Sequence, residues 1–133
     1  MRTFACLLAL AAASPASFAE TPADFLAAYA QEAKRQNPAY QEPSAQQGRR
    51  FFTALHGQEW SCASCHTRNP GAGGRHAVTG KTIEPLAPSA NAARFTREAK
   101  VEKWFRRNCK DVLARACTAQ EKGDVLAWLL SLK

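Results

Sequence analysis

The chain has 133 residues, of which 18 are basic and 11 acidic, so its formal net charge at pH 7 is +7. A chain of this length accommodates one small domain. The excess of positive charge would suit an acidic partner, or it is simply a solvated surface.

Residues 1–19 have the pattern of a secretory signal peptide. Arg2 precedes a short apolar run, and a cleavage site of the A-x-A type ends at Ala19. A membrane helix needs about 20 predominantly apolar residues, so this run is too short to be an anchor. We therefore expect cleavage after Ala19, a mature domain over residues 20–133 and a periplasmic location, where no nucleic-acid partner is expected.

Helical patterns account for most of the expected mature chain, and no strand pattern is visible in it. The predicted N-caps are Thr21, Ser44, Thr96 and Thr118. The first helix should stop at Asn37-Pro38, and the second should end near Gly57. Glycine and proline are frequent between residues 67 and 88, which predicts a long loop there. The sequence therefore predicts an all-α fold.

The stretch Cys62-Ala63-Ser64-Cys65-His66 has the C-x-x-C-H pattern of c-type haem attachment. In such a site two thiols add across the haem vinyl groups, and the following imidazole becomes the proximal iron ligand. The pattern therefore predicts covalent haem c on Cys62 and Cys65, with His66 on the iron.

Two other uses of a C-x-x-C pair compete with haem. A thioredoxin-like pair should follow a β-strand, but residues 55–61 contain no β-branched residue. A structural zinc site needs two more ligands, usually in a second paired cluster, and Cys109 and Cys117 are too far apart in sequence to form one. Haem attachment is the reading that the sequence favours.

The distal ligand cannot be a methionine, because the only one in the sequence is Met1, within the expected signal peptide. The remaining candidates are Asn108, His56, His76, a lysine or an open position. Asn108 follows Val101 by seven residues and so should share the apolar face of its helix. An unsatisfied buried amide costs about 1–3 kcal/mol, so it needs a partner, whether iron or the backbone at the helix end.

Three segments resemble a class I cytochrome c. They are the helix with Gly48-Arg49-Arg50-Phe51-Phe52, the Cys62–His66 motif, and the last helix with Asp124-Val125-Leu126-Ala127-Trp128-Leu129. The resemblance implies that the first and last of these helices cross closely. Gly48, Phe52 and Trp128 would then lie at the crossing.

The second half of the chain resembles the sphaeroides haem protein family of high-spin monohaem cytochromes c. The matching segments are Thr79-Gly80-Lys81, Pro85-Leu86-Ala87-Pro88-Ser89-Ala90, Arg94-Phe95-Thr96, Val101-Glu102-Lys103-Trp104 and Arg107-Asn108-Cys109. The resemblance implies that Asn108 is the distal iron ligand and that Cys109 forms a disulfide. Cys117 is its expected partner, since these two cysteines are the remaining pair in an oxidising compartment.

The resemblance implies an electron-transfer protein that binds O2, NO or CO at one haem, where a weak asparagine ligand dissociates on reduction. It also implies a dihaem cytochrome c and a membrane b-type cytochrome as electron donors. Two alternatives remain at this point. One is a low-spin bis-histidine carrier using His76, and the other is a haem enzyme acting on NO, O2 or peroxide. No residue except the unplaced His56 and His76 suggests a proton donor for an enzyme.

Overall fold

The structure, a computed structural model, describes residues 20–57 and 59–133, so the expected signal peptide over residues 1–19 lies outside the described residues. The described elements are α1 (Pro22–Gln36), α2 (Ala45–Thr53), α3 (Cys62–His66), β1 (Gly74–Arg75), β2 (Thr82–Ile83), α4 (Glu98–Leu113) and α5 (Ala119–Ser131). The predicted all-α class is confirmed, with one small sheet added. Within the described ranges, no helix is long and apolar enough to cross a membrane.

The ends of α1 and α5 are set by the predicted local signals. At α1, the Thr21 side chain accepts the Asp24 N–H, and the Asp24 carboxylate accepts the Thr21 N–H. The same reciprocal capping box joins Thr118 and Glu121 at the start of α5. Such caps satisfy N–H groups that have no partner within the helix. Both predicted N-caps are confirmed.

The second helix is shorter than predicted. Ser44 is its N-cap as expected, but α2 ends at Thr53 and not near Gly57. The chain leaves the helix there because the next residues form a small turn of their own, in which the His56 N–H donates to the Trp60 carbonyl at 2.8 Å. This turn leads directly into the Cys62–His66 segment.

The start of α4 also differs from the prediction. The N-cap is Arg97, without a side-chain hydrogen bond, and not Thr96. The Thr96 hydroxyl donates to the Ala93 carbonyl at 3.0 Å and is therefore used in the preceding turn. The Glu98 N–H instead donates to the carboxylate of Glu20, at 2.5 Å. A residue 78 positions earlier thus provides the acceptor that a local N-cap would otherwise supply.

The loop after His66 contains two strands that the sequence pattern does not predict. β1 and β2 pair antiparallel, with Gly74 opposite Ile83 and Arg75 opposite Thr82. Each strand has two residues, too few to display the alternation on which strand prediction depends. No longer regular element interrupts the described loop, as expected.

The crossing of α2 and α5 forms one of the three core clusters of the described residues. A Cβ at Gly48 would lie 1.8 Å from the Asp124 carbonyl oxygen, so only glycine permits this approach of the two backbones. The Phe52 and Trp128 rings pack edge to face beside it, with centroids 4.9 Å apart. The crossing inferred from Gly48, Phe52 and Trp128 is therefore present.

A second core cluster joins α1, α4 and α5. It consists of the buried side chains Phe25, Tyr29, Val101 and Leu126. Phe95 packs against this cluster and also against the cluster around Phe52, which includes Cys62. The helix that carries Asn108 and the segment that carries the C-x-x-C-H motif are thus connected through Phe95.

Candidate haem-attachment site

The five residues Cys62–His66 form the short helix α3, and its conformation is fixed from the N-terminal side. Ser61 is the N-cap and exchanges hydrogen bonds with Ser64, in a capping box made of two serines. The thiols of Cys62 and Cys65 are half-buried and form no disulfide. Because residues three apart lie on one side of a helix, both thiols face the same way.

Burial controls the ionisation of two groups in α3. It raises the pKa of the Cys62 thiol to about 11, so this thiol is uncharged at neutral pH. Burial, followed by the charge of Arg94 and the proximity of His76, lowers the pKa of His66 to about 4. His66 is therefore neutral at pH 7, which is the state in which imidazole binds metals. Its ring lies 6.1 Å from that of Phe52, beside the α2–α5 crossing.

The hairpin of β1 and β2 packs directly against α3. A Cβ at Gly74 would lie 2.2 Å from the Cys65 carbonyl oxygen, so glycine is needed for this contact. The Ala77 N–H points at Cys65 Sγ, with the nitrogen and sulfur 3.3 Å apart. The glycine-rich loop is therefore folded back onto the second cysteine of the motif.

His76 directly follows β1, at the base of the hairpin loop, and its ring is held by the backbone. Its Nδ1 accepts from the N–H groups of Val78 and Thr79, at 3.3 and 3.2 Å. A neutral imidazole has one donor and one acceptor nitrogen, so these bonds place the proton on Nε2. Binding iron through Nε2 would require moving that proton and losing both hydrogen bonds. His76 also lies close enough to affect the pKa of His66, next to the proximal candidate.

His56 has a structural position in the turn before α3. Its Nε2 lies 2.8 Å from the Phe51 carbonyl, and its ring packs on the Phe51 ring with centroids 4.6 Å apart. These contacts connect the end of α2 to the turn that precedes Cys62. His56 thus has protein partners of its own in this conformation.

The face of α4 that enters the core is not the one predicted. Val101 and Cys109 are buried and Phe105 packs beside them, whereas Trp104 is 42% exposed and Asn108 is exposed. Positions spaced by four define the buried side here. Trp104 and Asn108 are spaced by four as well, but their row lies about 80° around the helix from the buried row. The prediction that Asn108 points into the protein core with Val101 and Trp104 is therefore wrong, because only Val101 of these three is buried there.

The C-terminal end of α4 is attached to the segment that precedes α5. A disulfide joins Cys109 to Cys117, with their Cα atoms 5.6 Å apart. Ala114 ends the helix in a left-handed conformation, and Arg115 then pairs with Glu121 through both guanidinium NH2 groups. Asn108 directly precedes the bridged cysteine, so its backbone is fixed on the C-terminal side.

Sequence reasoning missed the function of Arg94. Its Nε donates to the Pro85 carbonyl at 2.8 Å and its Nη2 to the Glu84 carbonyl at 2.7 Å. These bonds hold the loop beside α3 and place a positive charge near His66. An arginine in irregular structure that donates to carbonyls nine and ten positions away has no local sequence signal.

The donor set of the described residues fits haem c. Two reduced thiols on one side of a helix are followed directly by a neutral imidazole, and Trp104 exposes an aromatic surface on the face of α4 that carries Asn108. No group of three or more His, Cys, Asp or Glu side chains suited to a bare metal ion occurs in the described ranges. These residues therefore give no support to the alternative in which the two cysteines bind zinc.

An all-α fold with a close helix crossing beside a C-x-x-C-H helix defines a class I c-type cytochrome. The comparisons with known proteins agree with this class. The family model described as "Domain of unknown function (DUF1924)" matches residues 38–129. Cytochrome c'' of Methylophilus methylotrophus is 44% identical over 77% of this chain and 74% of its own length. The cytochrome c-type protein SHP of Cereibacter sphaeroides is 43% identical over 92% of this chain and 94% of its own.

Solved structures show the same relationship. The crystal structure of oxidised cytochrome c'' from M. methylotrophus has a TM-score of 0.78 at 40% identity, covering 84% of this chain and 94% of that one. The structure of oxidised SHP, an oxygen-binding cytochrome c, has a TM-score of 0.76 at 39% identity, covering 86% and 100%. The chain belongs to the DUF1924 family and, by its identity with SHP, to the sphaeroides haem protein family, and it is a haem c-type cytochrome.

Proposed function

We propose that this protein is a periplasmic monohaem cytochrome that transfers electrons and binds O2, NO or CO at its haem iron. Cys62 and Cys65 would hold the haem through thioether bonds, and His66 would be the proximal ligand. Asn108 would bind the ferric iron weakly through its amide oxygen and leave on reduction. The haem, when bound, supplies one-electron chemistry and an iron atom that can accept a small ligand.

The observation that carries this proposal is the position of Asn108 on α4. Its side chain is exposed next to Trp104, one turn away, and a flat apolar cofactor is a suitable cover for such an aromatic surface. An amide oxygen is a hard donor that favours ferric over ferrous iron, so reduction should release it. In support, SHP is an oxygen-binding cytochrome c, and a solution structure of cytochrome c'' addresses haem-ligand detachment.

The test is replacement of Asn108 in the holoprotein. Asn108→Ala should leave haem covalently attached, which mass spectrometry of the denatured protein measures, and should change the ferric absorption spectrum. Asn108→His should give a low-spin cytochrome that resists carbon monoxide. An Ala variant with the native ferric spectrum would mean that Asn108 is not the ligand.

The histidine alternative has a matched test. His76→Ala should leave the ferric spectrum unchanged, because Nδ1 of His76 is already occupied by two backbone donors. The same result is expected for His56→Ala, since Nε2 of His56 is paired with the Phe51 carbonyl. Loss of a low-spin signal in the His76 variant would instead establish the bis-histidine carrier.

We infer that the electron donor is an acidic redox protein, with a dihaem cytochrome c or a membrane b-type cytochrome as the expected kind. Arg97, Lys100 and Lys103 line a shallow groove along the first turns of α4. The Arg107 guanidinium lies 5.7 Å from the Trp104 ring centroid. Within residues 20–57 and 59–133, none of these cations forms an ion pair with a carboxylate, so their charge is available to a partner.

Charge reversal on α4 tests this partner. Lys100→Glu and Lys103→Glu should slow electron transfer from an acidic donor cytochrome, and the difference from the native protein should shrink as the Debye length falls below about 10 Å. Arg49→Glu, on α2, is the matched control for net charge. If all three variants slowed electron transfer equally, the effect would come from the overall charge of the protein and not from a partner surface on α4.

A further inference from the structure

The helix α4 is attached to the rest of the protein differently from α1 and α2. The closely packed helix pairs are α2 with α5 and α1 with α5. In contrast, α4 reaches the other helices mainly through long side chains, with Val101 in the buried cluster of Phe25, Tyr29 and Leu126. A helix held in this way depends on a few specific contacts for its position.

Glu102 contacts two other helices at once. One carboxylate oxygen accepts the Tyr29 hydroxyl of α1 at 2.6 Å, and the other accepts the Lys122 ammonium of α5 at 2.6 Å. The Lys122 nitrogen also lies over the Tyr29 and Phe105 rings, 5.3 and 5.7 Å from their centroids. Three helices thus converge on one carboxylate.

The surroundings of this cluster favour a fixed geometry. The Lys122 side chain is only 18% exposed, so its charge needs a close acceptor. Tyr29 packs edge to face on Phe105 at 5.8 Å, which restricts the direction of its hydroxyl. Charge-assisted hydrogen bonds are shorter and stronger than neutral ones. The cluster is therefore suited to holding α4 at one rotation and one distance.

Asn108 lies between this cluster and the disulfide. It follows Glu102 by six residues, about 9 Å along the helix axis, and directly precedes the bridged Cys109. The two attachments bracket the turn of α4 that carries Asn108. Loosening either one would let this turn move relative to α3 and His66.

We propose that Glu102 is a positioning residue for Asn108: through Tyr29 and Lys122 it holds the distal ligand within reach of the ferric iron. This inference rests on the proposed function, because it requires Asn108 to be the ligand. The apparent affinity of an external ligand falls with the fraction of sites that Asn108 occupies. A protein with a loosened α4 should therefore bind an external ferric ligand more tightly.

The experiment titrates neutral imidazole into the ferric holoprotein and follows the absorption spectrum. Glu102→Gln keeps the size of the side chain and removes its charge, and Tyr29→Phe removes only the hydroxyl. Each should lower the imidazole Kd by about threefold or more, on the scale set by the loss of one hydrogen bond. Glu32→Gln is the matched control, since the Glu32 carboxylate pairs with Arg35 and Gln36 within α1.

A second titration separates positioning from general loosening. In an Asn108→Ala background, Glu102→Gln should leave the imidazole Kd unchanged, because this protein has no Asn108 amide to compete with imidazole for the iron. An equal effect with and without Asn108 would overturn the inference, and so would an unchanged Kd in both the Glu102 and Tyr29 variants. If Asn108→Ala alone failed to alter the ferric spectrum, the ligand assignment would fail first and the inference with it.

Discussion

Two buried helix glycines should respond to alanine in opposite directions. Helix propensity alone predicts that Gly→Ala within a helix stabilises by up to about 1 kcal/mol. At Gly48 the added methyl carbon would lie 1.8 Å from the Asp124 carbonyl oxygen, an atom of the α5 backbone. At Gly123 it would meet the Tyr29 Cβ at 3.4 Å, an ordinary van der Waals contact. Comparing the two alanine variants therefore separates the effect of helix propensity on stability from the effect of steric crowding between helices.

The crowding at Gly48 cannot be relieved by a side-chain rotation, because both helices would have to move apart. Overpacking of this kind costs about 1–3 kcal/mol and occasionally more. For a domain of this size 1 kcal/mol corresponds to about 4 °C in Tm, so Gly48→Ala should lower Tm by roughly 4–12 °C. The movement would also disturb Phe52 against Trp128.

Thermal unfolding of the ferric holoproteins, followed by circular dichroism at equal haem content, measures both effects. Gly123→Ala should have a Tm equal to or above that of the native protein, and serves as the control. A Gly48→Ala protein as stable as the native one would refute the close crossing of α2 and α5.

Two further predictions concern the attachments of α4. Partial burial opposes ionisation of Glu102, but hydrogen bonds from Lys122 and Tyr29 outweigh it and hold its pKa below the ordinary 4.5. The stabilisation is therefore present above pH 4.5 and lost as the pH falls through the lowered value. Urea unfolding should show the native protein about 1 kcal/mol more stable than Glu102→Gln at neutral pH, and a constant difference down to pH 3 would contradict this. Replacing Cys109 and Cys117 by Ser should lower the free energy of unfolding by about 2.5 kcal/mol for so short a loop, and an unchanged denaturation midpoint would show that the bridge does not contribute.

The features that could be predicted from the sequence are those decided within a few residues. Thr21 and Thr118 cap their helices because the partner lies three positions on, and Cys62–His66 is identified by a spacing that haem chemistry imposes. The crossing at Gly48 was anticipated through a family resemblance, since a single glycine in a helix does not reveal which backbone approaches it. Local signals therefore sufficed for most of the helices and for the attachment motif.

The features that could not be predicted depend on distant partners. Thr96 looks like an N-cap, but its hydroxyl is used by Ala93, and Glu20 provides the acceptor for Glu98. The pairing of β1 with β2 arises because the loop folds onto Cys65. Glu20 lies 78 positions from Glu98 and Cys65 lies 12 positions from Ala77, and no pattern within a short window contains that information.

The orientation of Asn108 shows why periodicity misplaced a candidate ligand although it found the right helix. Val101, Trp104, Phe105 and Asn108 form a single stripe in sequence, but the contacts with α1 and α5 select only Val101 and Phe105 for the core. Trp104 and Asn108 are left on the adjacent face, where an aromatic ring and an amide together suit a flat cofactor with a metal at its centre. A stripe wider than the core requires can therefore indicate a helix that serves two surfaces, one facing the protein and one facing a bound group.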